Sequence, residues 1–228
     1  MHVGNSNQKH VYHMRGEVLQ EVEEEKDVGV LIHKSMKPAR HCRKAANTGM
    51  GVLNQIRRNF HFRDRHVFVR LYKQYVRPHL EFATAAWSPW HKQDIDVLEE
   101  VQKRAVKMVS GLRGESYEDK CKELGLESLE KRRYNQDMVQ TFKLVRRIDK
   151  LSPTKVLRQR QGDIHTRTAE DPYYLRQDRA RLDIRKNFFT QRVCSKWNGI
   201  GTEIKEKSTS CFKLAVKENP VPGGMPED

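Results

Sequence analysis

The sequence predicts a mainly α-helical protein, a multi-helix bundle preceded by a small N-terminal antiparallel β-meander. From residue 36 to residue 151 apolar residues recur at three- and four-residue intervals, the period of an amphipathic helix. Residues 1–33 instead alternate over short stretches around glycine turns. Hydrophobic residues make up 36% of the chain and charged residues 32%, which indicates a modest core covered by long charged side chains.

The N-terminal region, residues 1–33, is predicted to contain three short strands. The first two form a hairpin through a turn at Arg15 and Gly16, and the third follows an acidic run. Three short strands bury little apolar surface, so this meander must pack against something else. The predicted strands are residues 10–14, 17–20 and 28–32.

Five helical segments are predicted next, within a domain of residues 34–151. The second contains Pro78 near its end, which implies a kink or an early stop. Ser116 and Asp119 form a capping pair for the fourth helix, and Gly125 follows that helix. The fifth is expected to be the longest. The predicted segments are residues 36–60, 65–80, 94–109, a short helix that ends near 125, and 129–151.

The C-terminal part is predicted to be less regular. Residues 152–180 are rich in Arg and Gln and poor in apolar residues, which is typical of a basic, flexible linker. Residues 181–217 are predicted to form a small helical segment, with an extended piece at 182–184 and helices at 187–197 and 210–217. The proline- and glycine-rich tail, 218–228, is expected to be disordered.

Positive charge is concentrated in one helical stretch. Between Lys34 and Arg77 the chain has twelve Lys or Arg residues and one acidic residue, Asp64, whereas the net charge of the whole chain is +14. A second basic block covers residues 154–196, which carry eleven basic and five acidic residues. A folded, strongly positive surface most often binds nucleic acid. If about half of the twelve cations neutralised phosphates, the affinity would fall with salt with a log–log slope on the order of −5.

Candidate contact residues can be named within the first block. Cations at three- and four-residue spacing share a helix face and can follow a phosphate backbone. Among the aromatic residues, Tyr72 and Tyr75 share the spacing of Phe68, which favours the core for both, whereas Trp87 and Trp90 lie in a predicted loop and could stack on bases. The predicted nucleic-acid contacts are Arg40, Arg43, Lys44, Arg57, Arg58, Arg70, Lys73, Arg77 and Trp87.

Catalytic and metal-binding motifs are missing from the sequence. It has no Walker loop, no G-x-G-x-x-G, no G-x-S-x-G and no Asp-Asp pair. The four cysteines form no C-x-x-C pair, so neither a zinc site nor a disulfide scaffold is expected. No segment resembles a signal peptide or is long enough to span a bilayer. These patterns favour an intracellular protein of the nucleus or cytoplasm that is not secreted, has no membrane partner and needs no cofactor.

Five strings in chain order resemble segments of the reverse transcriptases of non-LTR (LINE-type) retrotransposons. Together they extend over roughly residues 20–215, which makes the resemblance specific. The strings are K-D-V-G-V at 26–30 (K-D-L-G-V in the family), V-R-P-H-L-E-F at 76–82 followed by W-S-P, E-x-V-Q-K-R-A at 99–105, L-G-L-x-S-L-E-K-R-R at 124–133, and R-K-x-F-F-x-x-R at 185–192 followed by W-N at 197–198.

The resemblance implies a position next to the catalytic palm of such an enzyme. Residues 27–32 would correspond to the primer-grip strand, with Asp27, Val28, Gly29 and Val30 as its primer-grip-like residues. The helices that follow would be a thumb that holds the template–primer duplex. The implied partners are RNA, DNA or an RNA–DNA hybrid, held through backbone phosphates.

One departure from the family limits the implied activity. The F/Y-A-D-D aspartates that bind Mg²⁺ in the family are absent here, so no magnesium site and no polymerisation by this chain alone are expected. We therefore expect the product of a truncated or decayed copy. Two other interpretations stay open: a co-opted helical adaptor for an acidic protein, and a product without function that folds poorly because its sheet has lost the palm.

Overall fold

The computed structural model describes residues 1–4, 7–61, 64–112, 114–151, 156–159 and 171–218. The described part is mainly helical with two small antiparallel sheets near its N-terminus, which confirms the predicted fold class. The chain divides into two compact units. Unit 1 comprises Met1–Ala83 and Trp87–Leu129, and unit 2 comprises Thr84–Ala86 and Glu130–Asp228. Most of the predicted disordered tail lies outside the described residues.

The strands of unit 1 pair two by two. The first hairpin turns at Arg15 and Gly16 and the second at Val28 and Gly29, and φ is positive at all four residues, as in type I′ turns. Every residue of the first hairpin's strands is exposed. The strands are β1 (His13–Met14), β2 (Glu17–Val18), β3 (Glu24–Asp27) and β4 (Val30–His33).

The predicted third strand, residues 28–32, is therefore wrong at its start. Asp27 pairs with Val30, which leaves Val28 and Gly29 as the two residues of the turn. The acidic run before them is not a loop, because it continues into β3, whose four side chains are all exposed. The sequence analysis predicted a single strand here and missed β3, the strand with which it pairs.

Helix α1, Ala39–Asn59, is the central element of unit 1 and packs against α3 (Arg77–Glu81) and α5 (Lys92–Lys107). The middle of its buried face consists of the small residues Ala45, Ala46 and Gly49, and at Gly49 an added Cβ would lie 3.0 Å from Leu80 Cδ2 and 3.6 Å from Val101 Cγ1. The helices therefore approach closely at this point, as the small-residue face predicts.

His41 joins α1 to the second hairpin. Its Nδ1 accepts a hydrogen bond from the backbone N–H of Leu31 at 3.0 Å, and its ring lies 4.5 Å from that of Trp87, centroid to centroid. Burial lowers the pKa of His41, and the nearby Lys44 lowers it further. A neutral imidazole is thus part of the contact between β4 and α1.

The predicted helix over 65–80 is interrupted. It consists of α2 (Arg65–Leu71), a π turn (Tyr72–Val76) and α3, and the N–H of Arg77 donates to the carbonyl of Tyr72, five residues earlier. Pro78 has no N–H to donate, and the wider turn before it adjusts the backbone to this loss. The predicted kink is therefore present as a π turn.

The remaining helices of the middle region are α4 (Thr84–Trp87), α6 (Tyr117–Glu123) and α7 (Leu129–Val145). Ser116 caps α6 by accepting a hydrogen bond from the N–H of Asp119 at 3.1 Å, as predicted.

Helix α7 is shorter than predicted. It stops because Arg147 adopts a φ of 54°, which lets the N–H of Ile148 donate to the carbonyl of Lys143 at 2.8 Å. The predicted continuation to residue 151 is therefore wrong, and α1, with 21 residues, is longer than the 17-residue α7.

A buried polar network within unit 1 joins α5, the π turn and α6 to the backbone at Leu129. Gln102 on α5 accepts from the hydroxyl of Tyr72 at 2.8 Å and donates to the hydroxyl of Tyr117 at 2.9 Å. The carboxylate of Glu99 accepts from Tyr117 and, at 3.0 Å, from the backbone N–H of Leu129, the first residue of α7. Burial raises the pKa of both tyrosines, and the Glu99 carboxylate raises that of Tyr117 further.

Unit 2 has its own core around Trp197. Its described C-terminal helices are α8 (Asp183–Lys186), α9 (Phe189–Asn198), α10 (Thr202–Lys205) and α11 (Thr209–Glu218). The rings of Phe142 and Phe212 are stacked at 4.2 Å, and the ring of Trp197 lies 5.9 Å from Phe212.

Two predictions for the C-terminal part need correction. Leu157 and Leu175, within the predicted flexible linker, are buried in the core of unit 2, and residues 159 and 175 form an isolated β-bridge. The linker is therefore anchored in the core at these two leucines, beside which Val156 and Tyr173 also pack, rather than flexible over its whole length. Residues 160–170 lie outside the described part. The extended piece predicted at 182–184 is largely the short helix α8.

The strained turn of the second hairpin gives a stability prediction. Val28 is β-branched, 85% exposed and held at a φ of 42°, a combination that costs free energy without contributing burial. Val28→Asn should raise the free energy of unfolding by about 1 kcal/mol, because Asn-Gly is favoured in type I′ turns. Val28→Thr, which stays β-branched, is the control and should show no gain in chemical denaturation. An equal gain for both variants would contradict the strain argument.

A second prediction concerns the polar network. Glu99→Gln leaves one buried donor facing an amide N–H₂, so we expect a loss of about 2 kcal/mol in the free energy of unfolding. Glu100→Gln is the matched control, since Glu100 pairs with Arg104 on the surface and should cost at most about 0.5 kcal/mol. Urea denaturation of both variants measures the difference, and equal losses would refute the structural role of Glu99.

A third prediction is a pH dependence. The native pKa of His41 lies below its unfolded value, so below about pH 6.5 the unfolded state binds a proton that the native state does not. The stability contribution of His41 is therefore present above that pH and decreases as the pH falls. His41→Asn places an amide oxygen near the acceptor position, so stability should vary less with pH between about 7.5 and 5.5. Identical pH profiles for variant and wild type would exclude His41 as the source.

Candidate nucleic-acid interface

One face of α1 carries five cations, of which four are exposed and one, Lys44, is half-buried. Arg40 and Arg58 are separated by eighteen positions, about five turns, so both project in the same direction about 27 Å apart along the axis. Arg43 and Lys44 flank this direction, and the buried side chains lie on the opposite side of the helix. No acidic residue occurs within α1. We call this surface the α1 outer face; it comprises Arg40, Arg43, Lys44, Arg57 and Arg58.

The cations of the α1 outer face are largely unpaired. The Nε of Arg40 lies 4.0 Å from a carboxylate oxygen of Glu24, a long and exposed contact that stabilises little. Within the described residues, the other four cations form no ion pair with a carboxylate. This surface can therefore bind phosphates without first breaking strong internal contacts.

The cations predicted on the second helix do not all share this property. Arg70 is exposed and lies opposite the buried Phe68 on α2. Lys73 Nζ donates to the carbonyl of Gly125 at 3.5 Å. Arg77 Nε lies 3.8 Å from a carboxylate oxygen of Glu81, and the arginine side chain is only 18% exposed.

The predicted role of Arg77 therefore needs correction, because its guanidinium is engaged beside Pro78 at the start of α3. Of the cations predicted on this helix, Arg70 alone combines exposure with the absence of a described partner. The α1 outer face contains the remaining five predicted cations.

The aromatic assignments change as well. Trp87 is 5% exposed, and its Nε1 donates to the carbonyl of Phe82 at 2.6 Å, so it belongs to the core and is not placed to stack on a base. Tyr72 is buried, as expected from its spacing. Tyr75, which the same spacing assigned to the core, is 55% exposed, because it lies within the π turn, where the α-helical period no longer applies.

The four primer-grip-like residues lie on the second hairpin in three different environments. Asp27 ends β3, Val28 projects into solvent from the turn, and Val30 begins β4 and is buried. At Gly29 an added Cβ would lie 3.0 Å from Cε1 of Phe82, so the turn closely approaches the exposed ring at the end of α3.

Several residues with essential structural contacts were not singled out from the sequence. Glu99 and Gln102 lie on α5, where each directly follows an apolar residue of the buried face. Nothing else in the sequence distinguishes them from the other polar residues of this helix. In unit 2, Arg192 donates to both carboxylate oxygens of Asp137 at 2.9 Å, and Asn198 bonds to both the N–H and the carbonyl of Leu175. Most of these residues belong to the five strings quoted above.

The described part of the chain shows no sign of a metal centre, a disulfide or a membrane span. No group of three or more His, Cys, Asp or Glu residues that could hold a metal ion occurs in the described part of the chain. The four cysteines are free. None of the described helices is long and apolar enough to cross a membrane.

Comparison with known proteins gives no assignment. No family model matches the chain, and neither a curated protein nor a solved structure matches it significantly. The class that the fold and the site define is thus a mainly helical protein with one acid-free, cationic helix face.

Proposed function

We propose that this chain is the thumb-like, nucleic-acid-binding part of a retrotransposon reverse transcriptase, and that it binds RNA–DNA hybrid through backbone phosphates. The observation that carries the proposal is the α1 outer face, with five cations and no acid on one 21-residue helix. Binding is largely independent of sequence, because Arg and Lys contacts to phosphates read no base. We expect an intracellular location, since nucleic acid is the partner.

The geometry of the face suits a long polyanion. Arg40, Arg43 and Lys44 cluster near the start of α1, and Arg57 and Arg58 near its end, with neutral residues between the clusters. The clusters are about 20 Å apart along the helix axis. One small anion cannot contact both, whereas a nucleic-acid duplex presents phosphates over this length.

The resemblance to LINE-type reverse transcriptases supports the same conclusion from different residues. It implies a thumb beginning just after the second hairpin, and α1 begins there. The chain contains no Asp-Asp pair, so we do not expect these residues to polymerise DNA by themselves.

The experiment that tests the proposal is a salt series with a 16-base-pair RNA–DNA hybrid. Five phosphate contacts predict a log–log slope of about −4 to −5, and Arg43→Gln with Lys44→Gln should reduce its magnitude by about 2. Lys207→Gln with Lys213→Gln removes the same charge from exposed residues of α11 and the turn before it, and should leave the slope unchanged. Fluorescence anisotropy between 50 and 300 mM salt provides the measurement. A shallow wild-type slope, or equal effects of the two double variants, would refute the proposal.

The same face could instead bind an acidic protein, as an adaptor would. A polyglutamate of matched charge distinguishes the two functions, because it offers anions without the duplex geometry. Polyglutamate that displaces the hybrid at equal charge concentration would favour the adaptor. Displacement by unlabelled hybrid alone would support nucleic-acid binding.

A further inference from the structure

Unit 2 contains an exposed basic segment that the proposed function does not use. Residues 176–182 follow the buried Leu175 and have no regular secondary structure, yet five of the seven are exposed. Exposed segments of this kind are often mobile, because no repeating backbone hydrogen bonds fix them. Here, however, side-chain contacts fix the first half of the segment.

Two polar side chains of α9 hold this segment. The side-chain oxygen of Asn198 accepts a hydrogen bond from the N–H of Leu175 at 2.9 Å, and its side-chain nitrogen donates to the carbonyl of the same residue at 2.8 Å. The side-chain oxygen of the buried Gln191 accepts a hydrogen bond from the N–H of Asp178 at 3.1 Å. The backbone carbonyl of Gln191 accepts one from Gln177 Nε2 at 3.4 Å. The backbone is thereby ordered before any ligand arrives, which lowers the entropic cost of binding.

The segment presents three arginines for which the described residues offer no ion pair. Arg176, Arg179 and Arg181 are exposed, and none of them forms an ion pair with a carboxylate in the described ranges. The one acid among them, Asp178, is engaged by Arg158 at 3.1 Å. The internal acid therefore does not neutralise the three arginines.

An aromatic residue with an arginine beside its ring follows this segment in the chain. Phe188 precedes α9 and is 46% exposed, and the guanidinium carbon of Arg185 lies 5.6 Å from the centre of its ring. Unpaired bases stack on such aromatic and guanidinium planes, whereas the bases of a duplex are hidden within its stack.

We propose that Arg176, Arg179, Arg181, Arg185 and Phe188 form a second binding site, which takes single-stranded nucleic acid. The arginines bind backbone phosphates, and Phe188 with Arg185 stacks on an unpaired base. We call this site the arginine loop. It goes beyond the proposed function, which concerns a duplex on the α1 outer face, and it involves different residues in the other unit.

The test measures the affinity of the full chain for an eight-nucleotide oligouridylate. Arg179→Gln with Arg181→Gln should weaken binding at least fivefold and reduce the magnitude of the salt slope by about 1.4, the value for two phosphate contacts to a single strand. Phe188→Leu should weaken binding about fivefold or more, and Phe188→Trp should retain it, because Trp keeps the stacking surface. Lys207→Gln with Lys213→Gln is the charge-matched control and should have no effect.

The proposed function and the arginine loop can be refuted independently of each other. If Arg179→Gln with Arg181→Gln leaves oligouridylate binding unchanged, or weakens it no more than the lysine control does, the arginine loop is refuted whatever happens on the hybrid duplex. A loss on the hybrid as large as that on the single strand would also refute it, because the site would then not select unpaired bases. Loss of hybrid binding in the α1 variant, with oligouridylate binding retained, supports two distinct sites. Circular dichroism melting curves must match wild type for every variant compared.

Discussion

The fold of unit 1 depends on the buried pair Glu99 and Gln102. Each satisfies donors or acceptors from other elements, so the π turn, α6 and the backbone at Leu129 are fixed relative to α5. Buried polar groups of this kind are costly when unsatisfied, and this makes alternative packings of the same helices unfavourable. Helix α1 packs against α5 with its small and apolar side, so its opposite, cationic side faces outward. The cationic surface is a consequence of that orientation.

Folding alone does not account for the α1 outer face. Its inner side needs small and apolar residues to approach α3 and α5, and the sequence provides them. The outer side only needs to be polar, and alternating charges would satisfy that need with less repulsion. Five cations without one acid within the helix destabilise the folded state slightly. A polyanionic ligand would relieve this repulsion, which is why the charge pattern is the basis of the proposed binding.

Most helices were predictable because each carries a clear apolar period or an explicit cap, as Ser116 does for α6. The exceptions have physical causes that the apolar periodicity of the sequence does not reveal. Tyr75 became exposed because Pro78 imposes a π turn, and Trp87 is buried because its indole N–H finds a carbonyl within the bundle. Arg77 was assigned to phosphates although Glu81, one turn later, was available to pair with it. The sequence indicated the cations of the site, whereas their partners could be identified only from the structure.

The residues that resemble the reverse-transcriptase family and the residues that carry free charge are mostly different. Glu99, Gln102 and Arg192 belong to the strings and form internal hydrogen bonds, whereas the α1 outer face lies outside all five strings. The resemblance therefore rests mainly on residues that form hydrogen bonds within the fold. The proposed binding depends instead on cations of the α1 outer face that contribute little to packing. Such cations could be replaced without unfolding the chain, so a protein of this fold can lose its ligand while it keeps its structure. Charge on α1 is for this reason a better indicator of retained binding than the strings are.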